Sequence, residues 1–109
     1  MPRRFSLKSK VEIDQLLKTG KKLSGDYFSL IFEPSEDFRY GIFISRGLGG
    51  AIRRNRVKRV FREAVRKNRD LLKSNVKMVI LPRSGVTDPE FETIDAEIKR
   101  IFRLVDVRT

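Results

Sequence analysis

Apolar residues recur along this chain at two periods. Val57, Val60, Phe61, Ala64 and Val65 are spaced three and four apart, the period of a helix with one buried face. At about 100° per residue, Lys58, Arg59, Arg62, Arg66 and Arg69, together with Asn55, fall on its other side. Near the start, Ser9-Lys10-Val11-Glu12 has the form of a capping box. Val11, Ile13, Leu16 and Leu17 follow as a short apolar stripe, predicting a helix over Lys10–Lys18 that Gly20 stops in a left-handed conformation. Near the end, Phe91, Ile94, Ile98, Ile101, Phe102 and Val105 trace a last helix reaching about Val105. Asp88 is its expected cap, with Pro89 at the first position.

Strand-like runs fill the intervals. Tyr27–Phe32 is rich in β-formers; Phe28, Leu30 and Phe32 share one face, and Tyr27, Ser29 and Ile31 the other. Residues 33–37, Glu-Pro-Ser-Glu-Asp, form a turn, and Phe38–Ser45 returns as a second strand, predicting an antiparallel hairpin. Val76–Leu81 is another strand, stopped by Pro82, and a further short strand is expected around Leu23. Strand, helix and strand in succession predict a parallel crossover. The expected fold class is α+β: a single-domain α/β sandwich over residues 1–109, in the order α-β-β-α-β-α. Its mixed sheet has three to four strands, and its βαβ crossover carries the central helix.

Charge changes the picture. The chain of 109 residues carries 25 Lys plus Arg against 14 acids, a net charge of +11. Nine of the cations lie in the stretch from Gly49 to Arg69, where Glu63 is the sole acid. Arg59 before it and Lys67 after it are its candidate partners. A solvated helix face usually mixes both signs, whereas Lys58, Arg62 and Arg66 set like charges one turn apart, which costs a few tenths of a kcal/mol each. Such a face calls for a polyanion, first of all a nucleic acid. No apolar run approaches the ~20 residues needed to span a bilayer, and the basic N-terminus lacks the apolar segment of a signal peptide. The absence of cysteine excludes disulfides and thiolate metal sites and suits the cytoplasm.

The absence of histidine removes the commonest general acid/base, the commonest metal ligand and every His-dependent triad. The carboxylates Glu33, Glu36, Asp37, Asp88, Glu90, Glu92, Asp95 and Glu97 are scattered over turns and helix starts, without the compact acidic motif of a two-metal nuclease. Gly47-Leu48-Gly49-Gly50 precedes the basic helix but has neither the Walker nor the dinucleotide spacing; backbone meeting a phosphate and simple flexible connection are both open. Phe5, Tyr27, Phe28, Phe32 and Phe43 suit a core, while aromatics on a sheet beside basic residues also stack unpaired bases. Composition leaves both open. Three classes result: an RNA-binding cofactor of a larger catalyst, a ribosomal or other structural RNA-binding protein, and a metal-dependent nuclease.

The run Ala51-Ile52-Arg53-Arg54-Asn55-Arg56-Val57-Lys58-Arg59 with Phe61-Arg62-Glu63 resembles the signature of the bacterial ribonuclease P protein subunit. The resemblance extends to the first helix ending in Gly20, to Leu23-Ser24 before Tyr27-Phe28, to Gly41-Ile42 and Ser45, and to Ile80-Leu81-Pro82-Arg83. It implies a partner RNA that is itself the catalyst, hydrolysing the 5′ leader from precursor tRNA with magnesium bound chiefly by the RNA. No catalytic or metal-ligating residue of the protein, no membrane and no obligate protein partner are implied. Arg53, Arg54, Asn55, Arg56, Lys58, Arg59, Arg62 and Arg66 would face the RNA subunit. A cleft between the first helix and the sheet would hold the single-stranded leader, through Ile13, Leu17, Phe28, Ile31, Arg46 and Arg83. The family usually has aromatics where Ile13 and Leu17 stand, a second cation where Gly47 stands and an asparagine where Gly50 stands. It also implies a left-handed crossover, against the rule that makes about 98% of them right-handed.

Overall fold

The computed structural model describes residues 6, 7, 9–44 and 49–108. The expectations placed on Phe5, Ser45, Arg46, Gly47 and Leu48 lie outside them. Helix α1 spans Lys10–Thr19 and is followed by strands β1 (Lys21–Ser24), β2 (Phe28–Pro34) and β3 (Arg39–Ile42). Helix α2 (Ala51–Asn68) continues into a 3-10 turn at Arg69–Leu71, and strand β4 (Val76–Pro82) and helix α3 (Phe91–Arg108) complete the chain.

The helices start and stop for local reasons, two of which differ from expectation. Ser9 caps α1, its hydroxyl accepting the Glu12 N–H at 3.3 Å. Gly20 ends that helix in extended backbone, φ −69 and ψ 157, not in the left-handed conformation. A glycine fits there because of close approach: a Cβ would meet both Ile31 Cγ2 and the Leu16 carbonyl at 2.6 Å. At α3, Ile94 N–H bonds back to the Glu90 carbonyl at 3.2 Å, so the helix opens at Phe91, later than the Asp88-Pro89 start, and runs on to Arg108.

The four strands lie in the order β1-β2-β4-β3. The hairpin expected between β2 and β3 does not form. Instead β4 inserts between them, antiparallel to β2 with Phe28 opposite Pro82, and parallel to β3 with Tyr40 opposite Met78. The expected parallel relation of the strands flanking α2 holds, and β1 is the further strand around Leu23, antiparallel to β2. The reason lies in burial: every residue from Phe28 to Phe32 is buried, which an interior strand achieves more completely than one half of an exposed ribbon.

Both sheet faces are covered. Phe28, Leu30 and Phe32 of β2 join Met78 and Ile80 of β4 against Val57, Phe61 and Val65 of α2 and Ile94, Ile98 and Phe102 of α3. Phe28 and Phe61 meet edge to face at 5.5 Å. On the opposite face Ile31, Val79 and Leu7 pack with Leu16 of α1, with Ile13 and Leu81 at the margin. One cross-link between α2 and α3 is polar. Buried Asn68 donates to the Ala64 carbonyl at 2.8 Å and to Asp95 Oδ1 at 2.6 Å. Lys99 reaches Asp95 Oδ2 at 2.8 Å. The Lys99 hydrogen bond, helped by Asn68 and Lys67, holds the Asp95 carboxyl down to about 2 against the upward push of burial.

Candidate nucleic-acid interface

Helix α2 buries Val57, Phe61, Ala64, Val65 and Asn68 and turns Arg53, Asn55, Arg56, Arg59, Arg62 and Arg66 to solvent, with Arg54 and Lys58 half-buried at the flanks. The structure therefore brings all eight residues of the expected RNA face onto one helix. Their charges are not equivalent. Glu63 bonds Arg66 at 2.6 Å, three residues on, rather than Arg59 or Lys67, and thereby raises the Arg66 pKa further. Lys67 instead reaches Asp95 of α3 at 3.4 Å and lies over the Phe91 ring at 5.3 Å. Asp88, free of the capping role expected for it, pairs with Arg56 at 3.1 Å. Among the described residues, no acidic side chain lies within ion-pair distance of Arg53, Arg54, Lys58, Arg59 or Arg62. These five form a concentrated group of positive charges without a direct ion pair among the described residues.

The helix starts without help. Gly49 has φ 122, a conformation that L side chains rarely adopt. Gly50 at the N-cap supplies no side-chain bond, and no acid stands in the first turn.

The second expected surface lies across the sheet, and its composition changes. Helix α1 crosses that face. Glu12 on one of its flanks pairs with Arg39 of β3 at 2.9 Å. Ile13 and Leu17 lie on the other flank, Leu17 about 140° around the helix from Glu12 at 100° per residue. Leu17 is 46% exposed and Ile13 half-buried. Below them Ile31 is buried, 8% exposed. Phe28 is not part of this surface. It is 0% exposed and packs on the α2–α3 side of the sheet, because it stands an odd number of residues from Ile31 in the same strand. Arg83 is exposed at the end of β4, but its Nε and Nη2 both donate to the Gly25 carbonyl, at 3.0 and 2.8 Å, so it is held against the β1–β2 turn. Arg46 lies outside the described residues.

The register supplies what the sequence reading missed. Ser24 pairs with Ser29 and Ser29 with Leu81, and the Phe43 N–H donates to the Ile80 carbonyl at 3.0 Å, which sets Phe43 beside Leu81 in a parallel ladder. Ser24, Ser29, Leu81 and Phe43 thus form one row across the sheet, on the side that faces the Ile13–Leu17 flank. Strand parity could have placed Phe43 there once β3 and β4 were known to pair.

Among the described residues no three Asp or Glu side chains converge to hold a metal ion. Nor is any helix among them long and apolar enough to cross a membrane. The arrangement thus offers a cationic helix face and a shallow apolar floor on opposite sides of one sheet.

Comparison with known proteins points one way. The family model described as ribonuclease P matches residues 1–106. The ribonuclease P protein component of Coprothermobacter proteolyticus is 32% identical over 102 residues, covering 94% of this chain and 85% of that protein. That of Thermotoga maritima is 34% identical over 95 residues, covering 85% and 80%. In three dimensions the T. maritima RNase P protein superposes with a TM-score of 0.82 at 28% identity, covering 91% of this chain and 96% of that one. The Staphylococcus aureus RNase P protein, 21% identical, has the same fold, with a TM-score of 0.82 over 94% of this chain and 96% of that one.

Proposed function

The chain belongs to the ribonuclease P protein family, and from that premise we propose that it is the protein subunit of a ribonucleoprotein that removes the 5′ leader of precursor tRNA. The exposed face of α2 binds the catalytic RNA. Arg53, Arg54, Lys58, Arg59 and Arg62 displace condensed counterions from phosphates, which supplies affinity with little sequence choice. Arg56 and Arg66 join them after leaving Asp88 and Glu63, and Asn55 adds a neutral hydrogen-bonding group among them. The floor between α1 and the sheet, with Ile13, Leu17 and Ile31 at its wall and Arg83 at its end, receives the single-stranded leader. Unpaired bases there present apolar faces to be covered. Arg46 is assigned to the same strand of RNA by resemblance.

The observation that carries this reading is the group of five cations without a direct ion pair on one helix, set apart from the apolar floor by the thickness of the sheet. Two RNA elements can then be held at once, the two surfaces approaching each other only at the edge of β3, where Lys58 and Arg62 lie. Phosphodiester hydrolysis belongs to the RNA and its magnesium, and the protein's part is placement. Such an assembly works in the cytoplasm, where tRNA is made.

The test is reconstitution. Precursor tRNA is incubated with the cognate catalytic RNA at low magnesium, with and without this protein. Cleavage at the mature 5′ end that appears only with both, or runs much faster with both, is the expected result. RNA binding without any change in cleavage would make this a structural RNA-binding protein, and cleavage by the protein alone would make it the catalyst.

A further inference from the structure

The strongest unassigned feature is a concave site at the outer edge of β3, with a cavity volume of about 290 Å³. Its walls include Leu7, Gly41 and Phe43 on one side and Lys58 and Arg62 of α2 on the other. Ser6 and Leu7 close one end, Ser6 bridging to Tyr40 and the Leu7 N–H donating to the Tyr40 carbonyl at 2.8 Å.

Phe43 is unusual in this setting. It is 40% exposed, one residue past a strand in which Tyr40 is buried. Its ring folds back across Gly41, so closely that a Cβ on Gly41 would lie 2.6 Å from Phe43 Cε2. Gly41 therefore gives the ring a flat seat on the sheet and leaves its other side open. The two cations opposite, Lys58 and Arg62, are among those with no acid in ion-pair distance among the described residues. An exposed aromatic face with two free cations across a site near the lower size of small-ligand pockets, ~300 Å³, has the chemistry of a single-stranded nucleotide site. The ring takes a base, and the cations take the adjoining phosphate.

We propose that Phe43 is the stacking platform for one base of the single-stranded leader, and that Lys58 and Arg62, the two members of the cationic face that line this cavity, hold its phosphate while the rest of that face stays on the catalytic RNA. The leader then leaves the α1 floor by crossing the edge of β3 toward the basic helix. The inference rests on the function proposed above and adds to it the residue that replaces stacking from α1, where Ile13 and Leu17 have no aromatic ring to offer. It also ties the two surfaces together: the row Ser29–Leu81–Phe43 ends where Lys58 and Arg62 begin.

The test uses the protein assembled with its catalytic RNA, and compares precursor tRNA carrying its leader with mature tRNA lacking one. Phe43→Ala is expected to weaken binding of the leader-bearing RNA roughly 5- to 150-fold, the range for removal of one stacking aromatic, and to leave mature tRNA unaffected. Phe43→Leu, which keeps apolar volume but no π face, should behave similarly. Phe43→Trp should retain affinity. Because the chain has no tryptophan of its own, the emission of this variant reports the site alone, and it should be quenched by leader-bearing RNA and not by mature tRNA. Wild-type affinity in Phe43→Ala for the leader-bearing RNA, or equal losses for both RNAs, overturns the assignment of Phe43 while the leader-binding reading stands. A wild-type complex with no preference for leader-bearing RNA overturns both.

Discussion

Arg56 and Arg59 stand three residues apart on the exposed side of α2, yet they should contribute differently to RNA binding. Arg59 has no acidic side chain within ion-pair distance among the described residues, Glu63 bonding Arg66 instead, whereas Arg56 pairs with Asp88 at 3.1 Å, both side chains well exposed at 65% and 74%. An exposed pair of this kind is worth ~0.2–1 kcal/mol, and Arg56 must give it up to meet a phosphate. Asp88→Asn removes that competition. It should tighten binding of the catalytic RNA by about 1.4- to 5-fold at moderate salt, the same energy expressed as affinity. Wild-type protein neutralising about five phosphates should show log affinity falling with log salt at a slope of roughly −3 to −5. Arg59→Gln should make that slope shallower by about 0.7–0.9, and Arg56→Gln by less, since part of its charge is already spent on Asp88. The assay is fluorescence anisotropy with the catalytic RNA over a salt series. Weaker binding in Asp88→Asn, or equal losses in Arg56→Gln and Arg59→Gln, would refute the argument that internal pairing grades this face.

Two further outcomes test the fold that carries the site. Gly20→Ala should destabilise by about 1–3 kcal/mol, because its Cβ would meet Ile31 and Leu16 at 2.6 Å; urea unfolding reads this, and a gain in stability would show that the contact relaxes freely. Asp95, at about 2, lies below its ordinary value of 3.8. Its pairing therefore stabilises the folded state above about pH 4, and that contribution is lost as pH falls toward 2. Melting temperatures of wild type and Asp95→Asn should accordingly converge over that window, and a difference that stays constant with pH would exclude the Asn68–Asp95–Lys99 cluster as its source.

The three helices and four strands were legible because each rests on a local signal: a capping box at Ser9, a three-four spacing in α2 and α3, and a run of β-formers in β2. Pairing was legible only in part: the parallel relation of β3 and β4 followed from the strand-helix-strand succession, but nothing local says that β4 inserts between β2 and β3. The expected β2–β3 hairpin followed chain proximity. The unbroken burial of Phe28–Phe32 belongs to a strand with neighbours on both edges. The basic face was legible in two steps: Asn55, Lys58, Arg59, Arg62 and Arg66 follow from helical geometry, whereas Arg53, Arg54 and Arg56 were added by the resemblance. Its internal neutralisation was not: Asp88 and Asp95 approach Arg56 and Lys67 from sequence-distant segments. Phe28 was misassigned to the cleft although strand parity alone separates it from Ile31. Phe43 was left between core and stacking because its face depends on the β3–β4 register.

The central position of β4 bears on how the chain comes off the ribosome. It is the last made of the four described strands and the one on which β2 and β3 both depend, pairing with β2 residues more than forty positions earlier. Until Val76–Pro82 has emerged, β3 has no strand to join and the apolar face of α2 has no complete sheet to cover. The cationic face of α2 is exported before that moment, and its charge does not wait for folding. A nascent chain therefore presents a polycation in an aqueous environment crowded with RNA while its core is still open. The interval between synthesis of α2 and emergence of β4 is the one in which self-assembly and capture by RNA run against each other.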